Sequence, residues 1–214
     1  MADIFQEVDD DLKKDKATAW WKRYGRYVIA VAVLLVAGTA GYQAWTAYDL
    51  NQRSERSDAY AEALALAAEP SSEAEALSNL SEIASNGDTY GMLASFEEAR
   101  LLADADRTDE AVAIWDRIAA EQGNDQAFGS VATLLAVMHQ VDDGDVASLK
   151  ARLEPLAVTG SAFRPTATEL LATLALREND KQTARDLFTE LADDLTAPAG
   201  IRARATQMIE ALKD

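Results

Sequence analysis

Between Tyr27 and Tyr48 the chain runs for 22 residues, YVIAVAVLLVAGTAGYQAWTAY, without a single charge. No other feature restricts the fold so tightly. An α-helix rises about 1.5 Å per residue, so this stretch spans roughly 33 Å, and a bilayer's hydrocarbon core is about 30 Å thick. A helix of a soluble protein seldom stays apolar around its whole circumference for that length. The stretch therefore predicts a transmembrane helix over residues 27–48. Trp20, Trp21 and Tyr24 lie before it, and Tyr42, Trp45 and Tyr48 lie at its end. Indole and phenol rings settle at membrane–water boundaries.

Charge sets the expected orientation. Lys13, Lys14, Lys16, Lys22, Arg23 and Arg26 precede the span, whereas Arg53 and Arg56 follow it. A Lys/Arg excess marks the cytoplasmic side. Residues 1–26 are thus expected to form a cytoplasmic tail and residues 49–214 an exported domain. Gly38 and Ala40 are small enough to stand at −3 and −1 of a leader cleavage after Ala40. A secretory apolar core is usually about 7–15 residues, however, so an uncleaved anchor is expected.

The chain carries a net charge of −17. Residues 1–26 contain six acidic and six basic residues, so the charge resides in the exported part. Nucleic-acid binding needs a basic surface to displace counterions, and this composition argues against it. There is no cysteine, which excludes disulfides, Cys–Zn sites and thiol nucleophiles.

Residues 3–14 read as a short amphipathic helix with Ile4, Phe5, Val8 and Leu12 on one stripe. Two readings fit it: a helix resting at the membrane surface, or a docking segment for a partner. Neither Gly nor Pro occurs between Asn51 and Glu69, so the transmembrane helix is expected to continue outward until Pro70. Beyond it no alternating β-pattern appears. Turn clusters recur instead, at Ser85–Asp88, Asp104–Asp106, Gly123–Asp125, Asp142–Gly144, Thr159–Ser161, Glu178–Asp180 and Thr196–Pro198.

The helical segments repeat. Ile83, Ile118, Leu156 and Leu191 each precede an alanine, at intervals of 35, 38 and 35 residues. Ala63, Ala99, Ala136 and Ala172 recur at intervals of 36, 37 and 36. A period near 36 is one helical hairpin of a solenoid, close to the ~34 residues of a tetratricopeptide repeat. A lone hairpin cannot bury its apolar face and stacks on its neighbour. Ala99, Ala111 and Trp115 give small–small–aromatic spacing in the second unit, and Ala172, Ala184 and Phe188 repeat it in the fourth. Ser78 replaces the aromatic in the first unit, and Pro155 interrupts the second helix of the third. Residues 199–213 suit a capping helix. The expected fold is all-α: one transmembrane helix followed by a tetratricopeptide-like α-solenoid.

The opening MADIFQEVDDDLKKDKATAWWKRYGRYVI, the anchor with Gly25, Gly38, Gly41 and Trp45, and the acidic repeat domain resemble the YfgM-like ancillary subunits of the SecYEG translocon, in their alphaproteobacterial branch. The resemblance implies a bacterial inner-membrane protein with a periplasmic domain, associated with the translocon and with a membrane-anchored periplasmic chaperone. An assembly or accessory scaffold of another inner-membrane complex, respiratory or cell-division, is the alternative.

No catalytic pattern emerges. His139 is the only histidine and reads as an ordinary polar residue near a helix end. Asp142-Asp143-Gly144-Asp145 lacks the spacing of a calcium loop, and Asp145 reads as a helix N-cap. No enzyme activity, cofactor, metal or small-molecule substrate is expected. What remains is a surface for other proteins. In the tetratricopeptide pattern the first helix of each pair lines the concave face. Registering on the four alanines places Tyr60, Leu64, Leu93, Phe96, Arg100, Thr133, Val137, Gln140, Glu169, Thr173 and Arg177 there. Tyr60, Leu64 and Phe96 fit a core role equally well. In the anchor, Ala37 and Gly41 stand four apart, a small-xxx-small spacing that lets membrane helices pack closely.

Overall fold

The computed structural model describes residues 3–121 and 126–213, with side chains from residue 18 onward. The stripe at Ile4, Phe5, Val8 and Leu12 and the turn at Gly123–Asp125 lie outside the described side chains. The described residues form nine α-helices, one 3-10 turn and no strand.

The first helix, α1 (Asp3–Ala67), is continuous. The separate amphipathic helix expected at residues 3–14 is its N-terminal part. Gly25 does not break it, because an isolated glycine costs only about 1 kcal/mol relative to alanine. No proline occurs before Pro70, where the chain leaves the helix through an extended Glu69. The stretch Thr18–Ala67 is long and apolar enough to cross a membrane, and its most apolar window is wholly exposed. The hydroxyls of Thr39 and Thr46 donate to the carbonyls of Leu35 and Tyr42, at 2.9 and 2.8 Å. These two hydroxyls are thus satisfied within the helix, as a bilayer favours.

Residues 57–214 form a separate compact unit. After the last turns of α1 come α2 (Glu73–Ala84), α3 (Thr89–Asp104), α4 (Thr108–Ala120), α5 (Gln126–Gln140), α6 (Val146–Leu153), α7 (Arg164–Arg177), α8 (Lys181–Asp193) and α9 (Ala199–Ala211). Ala63, Ala99, Ala136 and Ala172 are all fully buried, as are Ala111 and Ala184, and Trp115 and Phe188 fill the gaps beside them. Fully burying an aromatic of this class contributes about 1.5–3 kcal/mol.

Four apolar cores follow one another, each made from three helices. The end of α1 packs with α2 and α3 around Ala63, Leu80 and Leu101. Helices α3, α4 and α5 pack around Ala99, Trp115 and Ala136. Leu134 and Val137 of α5 then join Leu149 and Leu153 of α6 and Leu174 of α7. Ala172 and Ala175 of α7 join Phe188 of α8 and Ile201 of α9. Helices α3, α5 and α7 therefore serve two cores each.

The ends of these helices follow from local chemistry. Asp88, Asp145 and Asp180 cap α3, α6 and α8 by accepting from the amides of Gly91, Ser148 and Thr183, which satisfies donors left open in a first turn. The turns after α3 and α7 are the same motif two repeats apart. Asp106 and Asn179 have φ of 60° and 62°. Arg107 N donates to Leu102 O and Asp180 N to Ala175 O, at 2.8 and 2.9 Å. This is the Schellman pattern, in which a left-handed residue lets the chain close over the last carbonyls. Gly91 is required where α3 meets the end of α2: a Cβ there would lie 3.0 Å from Ile83 O. Helix α6 spans eight residues. Pro155 lacks an amide proton and cannot continue it; Leu156 N instead turns back to Leu153 O at 2.9 Å.

Candidate functional site

An open groove of about 450 Å³ lies between α3 and α5, bounded by Tyr60 from the end of α1 and Trp115 from α4. Helix α3 offers Leu93, Phe96, Glu97, Arg100 and Asp104; α5 offers Phe128, Val131, Leu135 and His139. The 128-131-135-139 spacing places those four on one helical stripe. The rings of Phe96 and Phe128 face each other at 6.3 Å between centroids. Tyr60 packs on Tyr90 at 5.9 Å. His139 stacks on Trp115 at 4.8 Å and an interplanar angle of 27°. The Trp115 ring is almost wholly buried, and its indole nitrogen has no hydrogen-bond partner.

One charged cluster interrupts the apolar lining. Arg100 Nε and Nη2 donate to Glu97 at 3.0 and 2.6 Å, and Nη1 donates to Asp104. These carboxylates, with the Glu97 hydrogen bond first among them, hold the guanidinium pKa above its ordinary value. Burial, then the nearby charge of Glu97, pushes the Tyr60 phenol pKa up.

Of the residues predicted for the concave face, Tyr60, Leu93, Phe96 and Arg100 come together here. Tyr60 and Phe96 are half-buried and also pack against cores. Leu64 is 36% exposed and does not line the groove. Val137 is a correction: it is fully buried in the core of α5, α6 and α7 and offers nothing to a partner. The predicted polar residues are engaged within the domain. Gln140 accepts from Arg152 at 3.3 Å. Glu169 accepts two bonds from Arg204, at 2.7 and 2.8 Å. Arg177 donates to the carbonyls of Val141 and Gly144, at 2.8 and 3.0 Å. Thr133 and Thr173 donate to Gly129 and Glu169 one turn back in their own helices. Gln140, Glu169 and Arg177 thus tie helices or turns together away from the groove.

Sequence reasoning missed Glu97, Trp115, Phe128, Val131, Leu135 and His139. His139 does lie near the end of α5, but it covers Trp115 rather than standing alone in solvent. In α1, Ala37 shares an apolar surface depression with Ile29, Val33, Val36 and Ala40, and nothing lies within 4 Å of a Cβ built on Gly41. Among the described residues no cluster of His, Asp or Glu is placed to hold a metal ion.

A family model described as a tetratricopeptide repeat-like domain matches residues 18–213. No curated protein and no solved structure matches the chain.

Proposed function

This chain belongs to the tetratricopeptide repeat-like domain family, whose members are protein–protein interaction modules, and from that premise we propose that it is a membrane-anchored adaptor that holds a segment of another protein in its aromatic groove. The groove itself is the observation that carries this reading. Phe96, Phe128 and Tyr60 remain partly exposed on an otherwise charged domain, in a hollow large enough for bulky side chains. Concave apolar surfaces with a few polar groups are where extended or helical segments dock.

The uncharged helix over residues 27–48 is the anchor in this reading, and the basic residues before it support a cytoplasmic N-terminus. The N-terminal resemblance supports a bacterial inner membrane, a periplasmic repeat domain, and partners at the protein-export translocon and among its periplasmic chaperones. Anchor and groove act together: Ala37 and Gly41 permit close helix packing, and tethering raises the effective concentration of the second contact.

Photo-crosslinking groups at Phe128 and at Ala37, in membranes of the native host, test the reading. Adducts to export-channel or chaperone subunits are expected from both positions. Phe96→Ala and Gly41→Leu should each weaken co-purification of those subunits, and the pair should weaken it further. Adducts to lipid alone would sink the adaptor reading. Adducts to a different inner-membrane complex would keep the adaptor and discard the translocon.

A further inference from the structure

We infer that the groove selects cationic segments: a large apolar side chain flanked by Lys or Arg is accepted, and a carboxylate-bearing segment is turned away. This rests on the reading of the groove as a protein-binding site and specifies its ligand.

Among the described residues, Arg100 is the only Lys or Arg lining the groove. It looks like a receptor for a carboxylate, but its charge is already satisfied. Three of its hydrogen bonds run to Glu97 and one to Asp104. One guanidinium between two carboxylates leaves the cluster at net −1. An incoming carboxylate must displace Glu97 or Asp104 and then face both. An incoming ammonium or guanidinium can share their remaining lone pairs without breaking anything.

Glu97 also acts on the Tyr60 hydroxyl, at the end of α1 that bounds the groove, and raises its pKa beyond what burial alone does. The surroundings have the same sign. Residues 57–214 contain 29 acidic and 12 basic residues, a difference of −17. A cleft with low-dielectric walls concentrates such a field and draws in the opposite charge. Phe96, Phe128 and Tyr60 add ring faces on which a cation is favoured over an anion. Rejection of the wrong sign is part of the selectivity, since like charges pressed together cost more than a lost contact.

The test uses the full chain in nanodiscs of zwitterionic lipid, so that bilayer charge plays no part. Three fluorescein-labelled peptides share a Trp-Leu centre and differ only in their flanks: Lys, Gln or Glu. Fluorescence anisotropy at about 50 mM salt should show the Lys peptide binding at least about tenfold more tightly than the Glu peptide. At about 500 mM the gap should fall to about twofold, because salt screens exposed charges. Glu97→Gln with Asp104→Asn should close most of the gap. Arg100→Ala frees two carboxylates and should tighten the Lys peptide severalfold; weakening instead would mean that Arg100 is a ligand contact and would overturn the inference. Phe128→Ser distinguishes the two levels. If it weakens all three peptides equally while their flanks make no difference, the groove binds segments and the charge selection is wrong. If no peptide binds, or Phe128→Ser changes nothing, the groove reading fails and takes this inference with it.

Discussion

Glu98 lies half-buried in a hollow beside Leu77, Leu102 and Ile114. Burial raises its pKa, against the opposing effects of a hydrogen bond with Ser81 and the charge of Arg117. An acid whose folded-state pKa is raised favours the fold while protonated. That stability is present below the unfolded pKa and is lost as pH rises through the folded one. At neutral pH the ionised carboxylate is therefore a cost, and Glu98→Gln should raise Tm at pH 7. The difference should vanish below pH ~4, where the wild-type side chain is protonated. A lower Tm at pH 7 would show that Ser81 and Arg117 outweigh the burial. Glu98 carries no sequence signal, because its environment comes from α2 and α4. The groove was half legible for a related reason. Counting from Ala99 picks out Phe96 and Arg100, which line the groove, since α3 shows one stripe to it. Counting from Ala136 selects Val137, but α5 sends Leu134 and Val137 into the following core. Its groove stripe is the remaining one, 128-131-135-139, readable only once both buried faces are known.

At the scale of elements the repeat register is the most legible feature. Close helix approach tolerates only small side chains, so Ala63, Ala99, Ala136 and Ala172 leave a period in the sequence, and all four are fully buried. The 38-residue interval in the aliphatic series falls where α6 stops short and Leu156 sits in a turn, half-buried. The left-handed residues at Asp106 and Asn179 were less visible, because each is a polar residue inside a polar turn. They carry a local cost, since a non-glycine residue in that conformation loses about 1–2 kcal/mol. Asn tolerates it best after glycine. Asn179→Gly should therefore stabilise the repeat domain by about 0.5–1 kcal/mol in urea unfolding, and Asp106→Gly by a similar amount. Destabilisation by either would mean that the polar side chain contributes more than its backbone strain removes.

The repeat domain is a chain of cores in which α3, α5 and α7 are each held twice. Neighbouring hairpins are thereby coupled, and stability runs from one to the next. The coupling is uneven. Helix α6 is the shortest, at eight residues, and the segment after it, up to Phe163, is turn and bend. Amide hydrogen exchange should show α6 and residues 154–163 opening at least about tenfold faster than α4 and α8, a local gap of about 1.4 kcal/mol. Equal protection through α4, α6 and α8 would contradict this. Arg152 to Asp116 and Lys150 to Glu178 brace α6 from both sides, but half-exposed ion pairs of this kind contribute about 1 kcal/mol or less. Mechanically, α6 lies beyond the groove. A pull between α1 and the groove runs through α2 and α3 and bypasses it. The aromatic clamp between α3 and α5 keeps α4 as its own support, so α6 can open and close while the clamp stays formed.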